Sequence, residues 1–393
     1  MKVHRSVVEL ASAHFLIDNY SSMLGAFLPF LHRELGLTLS EAGILGGILV
    51  FSSSLMQPVY GFLSDRLGHK IFSALAPAVA GTFIASLGLA PSFGVLALLI
   101  FMGGAGIAAF HPQGASLAAS VVQRRAGFNL SFFIAGGMIG YSLGPVFISS
   151  IILTFGLKNS FWAALPGILM SIYLLRFGPS PQPVDRSRPR PPLSRLLEGR
   201  WLPLSLLYIL VIIRSIIQLV FVAFLPLYFT TLGKSEMEGS QYLSMFLLAG
   251  GIASFIGGIL ADRYGGKKII ATSMAGCFPF LFGFLHTEGP ISIIFCTLGG
   301  AFLLLSTPVN VAMAQRLVPE GAGTISALMM GFAWGVGGLF VPLVGSLSDL
   351  YGLPQMLMTL IFVAIPGFLL ALMLPRRTDL RAADFKLDHG RVT

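Results

Sequence analysis

The stretch Gly61-Phe62-Leu63-Ser64-Asp65-Arg66-Leu67-Gly68-His69-Lys70 decides the reading of this chain, because it is written twice. It returns as GILADRYGGKK over residues 258–268, at an offset of 197. The same offset carries Phe27-Leu28-Pro29 to Phe224-Leu225-Pro226, Leu35-Gly36 to Leu232-Gly233 and Glu41 to Glu238. An offset that survives a loop and a whole apolar stretch marks an internal repeat. The chain therefore reads as two parallel halves.

The repeat sits in an apolar chain. Of 393 residues, 55% are hydrophobic and only 10% are charged, and the mean hydropathy is +0.84. A soluble domain carries about 25% charged residues, so the composition specifies a polytopic helical membrane protein. Twelve stretches are long enough to cross a bilayer, which needs about 20 residues. Six lie near 7–31, 41–63, 71–90, 94–119, 127–155 and 159–178, and six near 201–229, 240–260, 268–286, 290–315, 322–348 and 352–375. The expected organisation is a six-helix half over 1–178, a basic, proline-rich linker over 179–200, a second half over 201–375 and a polar tail over 376–393. The first span is too long for a signal-peptide core and is read as retained. Cys277 and Cys296 fall inside apolar runs and read as small core residues.

The net charge of +9 is a topology signal. With both termini on one side, all but four of the 25 Lys and Arg residues share that side. Arg33, Lys158 and Lys234 lie opposite, and Arg214 lies within a span. The positive-inside rule then puts both termini and the linker in the cytoplasm. The basic excess adds affinity for anionic lipid headgroups; nucleic acid is not an expected partner.

A short polar census inside the spans supplies the functional candidates. His14 and Asp18 are four apart on one face of the first helix. An ionisable residue at mid-membrane costs about 2.5–3.5 kcal/mol on insertion scales, so such a pair is expected to face a protein interior or wet cavity. The fourth span contributes Phe110-His111-Pro112, and the seventh Arg214 and Gln218, again four apart. Thr307 and Asn310 bracket Pro308 in the tenth, and Gln57 precedes Pro58 in the second. Each has a plainer structural reading. Asp18 could be a fixed partner of Arg214, and His14 could only orient Asp18. His111 could cap a kink at Pro112, and Gln57 and Asn310 could join helices. Glu9 and Asp349 sit near span ends and are expected to be solvated.

The repeated loop resembles the cytoplasmic signature of the major facilitator superfamily. The resemblance implies a fold of twelve transmembrane helices in two pseudo-symmetric halves. It also implies that Gly61, Asp65, Arg66, Gly68 and Lys70, with Gly258, Asp262, Arg263 and Gly265, latch the halves together. The plainer reading is a loop that only fixes topology. GYSLGPVF, residues 140–147, resembles part of the fifth-helix motif of superfamily antiporters at Gly140, Gly144 and Pro145; Phe147–Ser150 stand where its later glycines would be. Close helix packing is the competing reading. AHFLID (13–18), SLMQP (54–58), FHP (110–112) and GFAWGVGGL (331–339) together resemble the fosmidomycin resistance protein family, a drug-efflux branch.

That resemblance implies that spans 1, 4, 7 and 10 line a central cavity, and that the chain exports small, often anionic or amphipathic compounds against proton entry. On this expectation Asp18 carries the proton and His14 tunes or shares it, histidine being the side chain that changes charge nearest neutral pH. Arg214 attracts an anionic group on the substrate, and an Asp18–Arg214 bridge opens and closes with substrate. Gln218, His111, Gln57, Asn310, Phe15 and Phe110 complete the expected substrate contacts, with Phe221 and Trp334 as further apolar candidates. The alternative is proton-coupled import of an organic anion or sugar derivative. A transport-free receptor or scaffold would need a partner domain that the short linker and tail do not supply. An intramembrane enzyme would need a nucleophile or metal-ligand set beside His14 and Asp18. No enzyme activity, cofactor or metal is expected. The expected partners are a small molecule, protons and membrane lipid, and the expected state is a monomer in the inner membrane.

Overall fold

The structure, a computed structural model, describes residues 3–67, 69–121, 126–180, 199–318, 321, 325–326 and 328–375. Gly68 and the side chain of Asp65 in the first loop motif lie outside the described residues, as do 181–198 of the linker and the 376–393 tail. Every regular element among the described residues is helical. The long helices are α1 (Arg5–Leu35), α2 (Leu39–Val50), α3 (Gln57–Leu67), α4 (Ile71–Ala85), α5 (Phe93–Ser120), α6 (Ala126–Phe155), α7 (Leu165–Phe177) and α8 (Trp201–Thr231). They continue as α9 (Glu236–Tyr264), α10 (Gly266–His286), α11 (Gly289–Leu304), α12 (Thr307–Leu317), α13 (Ala333–Gly338), α14 (Phe340–Tyr351), α15 (Leu353–Ile361) and α16 (Ala364–Met373).

Eleven helical stretches among the described residues are long and apolar enough to cross a membrane. The expected first span is absent from that set. Its helix, α1, has 31 residues, or about 46 Å at 1.5 Å per residue, which is ample length. The polar residues it carries, His14, Asp18 and Asn19 among them, lower its hydropathy. Apolar side chains point outward elsewhere: Ile252, Phe255, Ile256 and Ile259 are exposed at helical spacing along one face of α9. The buried polar residues lie inside, as a lipid-facing protein requires.

The repeat is visible in the backbone. α1 and α8 are both 31 residues long, and each contains a proline, Pro29 or Pro226, near its end. Gly36 and Gly233, equivalent by the 197-residue offset, stop these helices at φ of +64° and +72°. A side chain is disfavoured in that left-handed conformation.

The described residues form two compact units. The first draws on Met1–Arg186, Leu219–Leu248 and Gly338–Leu357. Within it, α6 lies so close to α1 that Cβ atoms at Gly136, Gly140 and Gly144 would meet the backbone at Ala11, Phe15 and Asn19. The fifth-span glycines thus serve close packing. α2 and α14 approach equally closely where Gly43 faces Gly345. Asp349 is exposed, as expected, and it also caps α2: its carboxylate accepts from the amides of Leu39 and Ser40, both at 2.8 Å. Those amides are unsatisfied within the helix and sit at the positive end of its dipole, which holds the anion there. Glu9, also expected to be solvated, is a correction. It is buried and accepts from Arg5 Nε and Tyr173 Oη, both at 2.7 Å.

The second unit draws on Ser187–Gln218, Ala249–Gly337 and Met358–Thr393. Here α10 packs on α11 and α16, with Gly276 against Phe302, Gly299 against Leu281 and Gly367 against Met274. Ser273 Oγ donates to the carbonyl of Phe302 at 2.6 Å. Cys277 and Cys296 are buried and form no disulfide.

Candidate functional site

In the first unit, α1, α5 and α6 converge on the Asp18 carboxylate. Helical spacing already brings His14 to it, and His14 Nε2 lies 3.2 Å from Asp18 Oδ2. The fold adds His111 from α5, whose Nε2 lies 3.1 Å from Asp18 Oδ1. The other nitrogen of each ring is tied to the main chain. His14 Nδ1 is 2.8 Å from the carbonyl of Phe133, and His111 Nδ1 is 2.8 Å from the carbonyl of Ile107. Pro112, lacking an N–H, opens the backbone ladder beside this bond. The same ring therefore bonds both its own helix and Asp18.

Aromatic packing encloses the cluster. His14 stacks on Phe133 at a centroid separation of 4.1 Å, with Phe110 behind it at 5.9 Å. Gly137 of α6 closes the remaining side: a Cβ there would collide with Asp18 Oδ2 and the His14 ring. The cluster is graded in access, its side chains being 7% exposed at His14, 18% at Asp18 and 25% at His111. The three ligand-type atoms lie within 4.8 Å of one another. That is compact enough to bridge a metal ion, whereas the sequence brought only two of them together.

A different polar centre lies in the second unit. Arg214 is 2% exposed. Its Nη1 donates to Gln218 Oε1 at 2.8 Å, and the guanidinium lies 5.8 Å from the Trp334 ring, in cation–π range. Its Nε has no hydrogen-bond partner among the described residues. α12 contributes Asn310, 1% exposed, whose Oδ1 is also unpartnered there. Buried polar groups are ordinarily satisfied; Tyr208 Oη, Ser244 Oγ and Thr307 Oγ1 are likewise unpartnered among the described residues.

Other expected contacts are placed less favourably. Gln57 donates to the carbonyl of Ser53, one turn back on its own helix, at 2.9 Å. Phe110 and Phe221 are fully buried; Phe110 backs the histidines, and Phe221 stacks on Phe246. Phe15 lines a shallow apolar groove with Val8, Leu16 and Ile139. In the loop motifs, Lys70 Nζ donates to the carbonyl of Gly178 at 3.2 Å, and Gly61 lies beside Pro112. In the second copy Asp262 pairs with Arg316 at 2.9 Å, and Arg263 lies over Tyr264. Three contributors escaped the sequence reading: the Phe133 carbonyl, Gly137, and Asn19, whose Nδ2 donates to the Gly140 carbonyl at 3.2 Å. The glycine pair 136–137 was the available signal for α6, but nothing in it named the surface it would meet.

Ionisable residues buried among membrane-length helices mark functional sites. The profile of the Major Facilitator Superfamily matches residues 10–342, and the chain belongs to that family. It is 29% identical to the MFS-type transporter YfnC of Bacillus subtilis strain 168, over 96% of this chain and 95% of that one. It is also 29% identical to the fosmidomycin resistance protein of Escherichia coli K12, over 86% of this chain and 85% of that one. Among solved structures, the nucleoside transporter NupG superposes with a TM-score of 0.79 at 11% identity, covering 94% of this chain and all of that one. The fucose:proton symporter FucP of E. coli gives 0.61 at 16% identity, over 94% and 98%. The major facilitator fold expected from the repeat is therefore present, and the relatives are transporters and not enzymes.

Proposed function

We propose that this chain is a proton-coupled exporter of a small organic anion, working by alternating access. The observation that carries the reading is the presence of two unlike polar centres, one in each unit. Asp18 is an acid held between two histidines, and Arg214 is a buried cation whose Nε is unpartnered among the described residues. An acid flanked by bases can take up and release a proton. A buried guanidinium with a spare donor favours a carboxylate or phosphonate, whose oxygens accept charge-assisted bonds. In this reading substrate on Arg214 and proton on Asp18 are linked, each altering the other's affinity by the same factor. Gln218 and Asn310 orient the anion, and the repeated loops act as latches. Export is favoured over import by the similarity to the fosmidomycin resistance protein. Sensitivity of a deletion strain to candidate drugs, against its growth on candidate nutrients, separates the two directions. The basic loops support a cytoplasmic position for both termini, and in this reading the chain works as a monomer in the inner membrane.

A thermal-shift panel on purified protein tests the substrate class. Small phosphonates and carboxylates are expected to raise the melting temperature, by an amount that changes between two pH values. Stabilisation by neutral sugars alone would contradict the anion reading.

A further inference from the structure

Asp18 has two oxygens, and each is occupied by a different histidine. The tautomers of both rings follow from their other contacts. A backbone carbonyl has no hydrogen to give, so Nδ1 must donate where His14 meets Phe133 and where His111 meets Ile107. Each Nε2 is then left facing the carboxylate without a fixed hydrogen. With both rings neutral and Asp18 ionised, each contact would set a lone pair against a lone pair. One proton in each contact turns it into a hydrogen bond, whichever of the two atoms carries it.

We propose that His14, Asp18 and His111 form a single proton-binding unit with two exchangeable seats, one in each Nε2–carboxylate contact. This deepens the proton-coupled reading above and rests on it. His111 is then a proton seat in its own right, beyond the substrate contact expected of it. The formal charge of the unit is −1 when empty, 0 with one proton and +1 when full. The separations of 3.2 and 3.1 Å are short enough for one proton in each contact. Losing both protons places repulsion on both sides of Asp18, so the contact between α1 and α5 is weakened in the empty state. Protonation is thereby tied to a helix contact. The seat on His111 is the more exposed and exchanges first.

Few other titratable groups reach the unit. α5 supplies only His111, and α6 supplies Tyr141, whose phenol lies within electrostatic reach of Asp18. Tyr20 of α1 is engaged elsewhere, donating to the Ala163 carbonyl on the α7 side. Arg5, Glu9 and Tyr173 bond among themselves near the start of α1.

The test is nitrogen-15 NMR of histidine-labelled full-length protein in nanodiscs, in chelator-containing buffer, titrated with protons alone. His14→Gln and His111→Gln assign the two rings among the seven histidines. Both rings are expected to keep hydrogen on Nδ1 throughout and to titrate at Nε2. Asp18→Asn, nearly isosteric, should move both titration curves together. His111→Gln should also move the His14 curve, because the carboxylate is shared, and it carries the test if Asp18→Asn does not fold. A His111 curve indifferent to Asp18→Asn, a His14 curve indifferent to His111→Gln, or either ring protonated at Nε2 with a bare Nδ1 would overturn the two-seat unit. No substrate or flux enters this readout. Coupled titration in a protein without gradient-driven transport would reject the exporter reading and leave the unit standing.

Discussion

The buried acid and the buried base of this protein are treated in opposite ways. Asp18 is surrounded: two histidines take its two oxygens, and carbonyls fix those histidines in turn. Arg214 has fewer partners, with Gln218 Oε1 at 2.8 Å, Ser215 Oγ at 3.4 Å, a ring face and an Nε unpartnered among the described residues. A satisfied network is internally stable and changes state only when protons enter or leave. An under-satisfied buried charge weakens the fold and gains from any anion that completes it. On the proposed reading, the first is the proton site and the second the ligand site.

Replacing Arg214 by Met should break the comparison most visibly. The charge-assisted bonds to an anion contribute roughly 1.5–3 kcal/mol, so binding of small phosphonates or carboxylates should weaken about tenfold to a hundredfold. The ligand-free protein should at the same time melt higher, because an uncompensated buried charge is gone. A lower melting temperature would mean that Arg214 has a structural partner. Gly137→Ala acts on the other centre. Its Cβ would press on Asp18 and His14, and overpacking of this kind costs about 1–3 kcal/mol. Thermal denaturation should show that loss, and the variant's pH profile of transport should shift while Arg214-dependent binding persists.

Much of the architecture was legible because bilayer thickness dictates length and composition. The 197-residue offset is borne out by the matched ends of α1 and α8 at Gly36 and Gly233. The His14–Asp18 contact was legible because four residues make one helical turn. His111 was not, since its bond to Asp18 joins residues 93 apart in the chain. Sequence spacing likewise gave no sign that the Phe133 carbonyl would fix His14. Glu9 was misjudged because position near a span end suggests water, but Arg5 and a tyrosine hydroxyl satisfy it in a buried setting instead. Gln57 illustrates the converse, a polar residue in a telling sequence block that bonds its own helix. Gln57→Ala should therefore have the smallest effect of the set, under about 0.5 kcal/mol in stability, with binding unchanged. A large loss of anion affinity there would move the ligand site toward α3.

The central claim is that Asp18 couples proton movement to transport, while Arg214 holds the cargo. It is tested most directly by flux in proteoliposomes carrying Asp18→Asn, measured both with an imposed pH gradient and as exchange at equal pH. The probe is whichever anion the thermal-shift panel identifies. The account predicts that gradient-driven flux falls to the level of empty vesicles while exchange persists. Full gradient-driven flux in Asp18→Asn would contradict it.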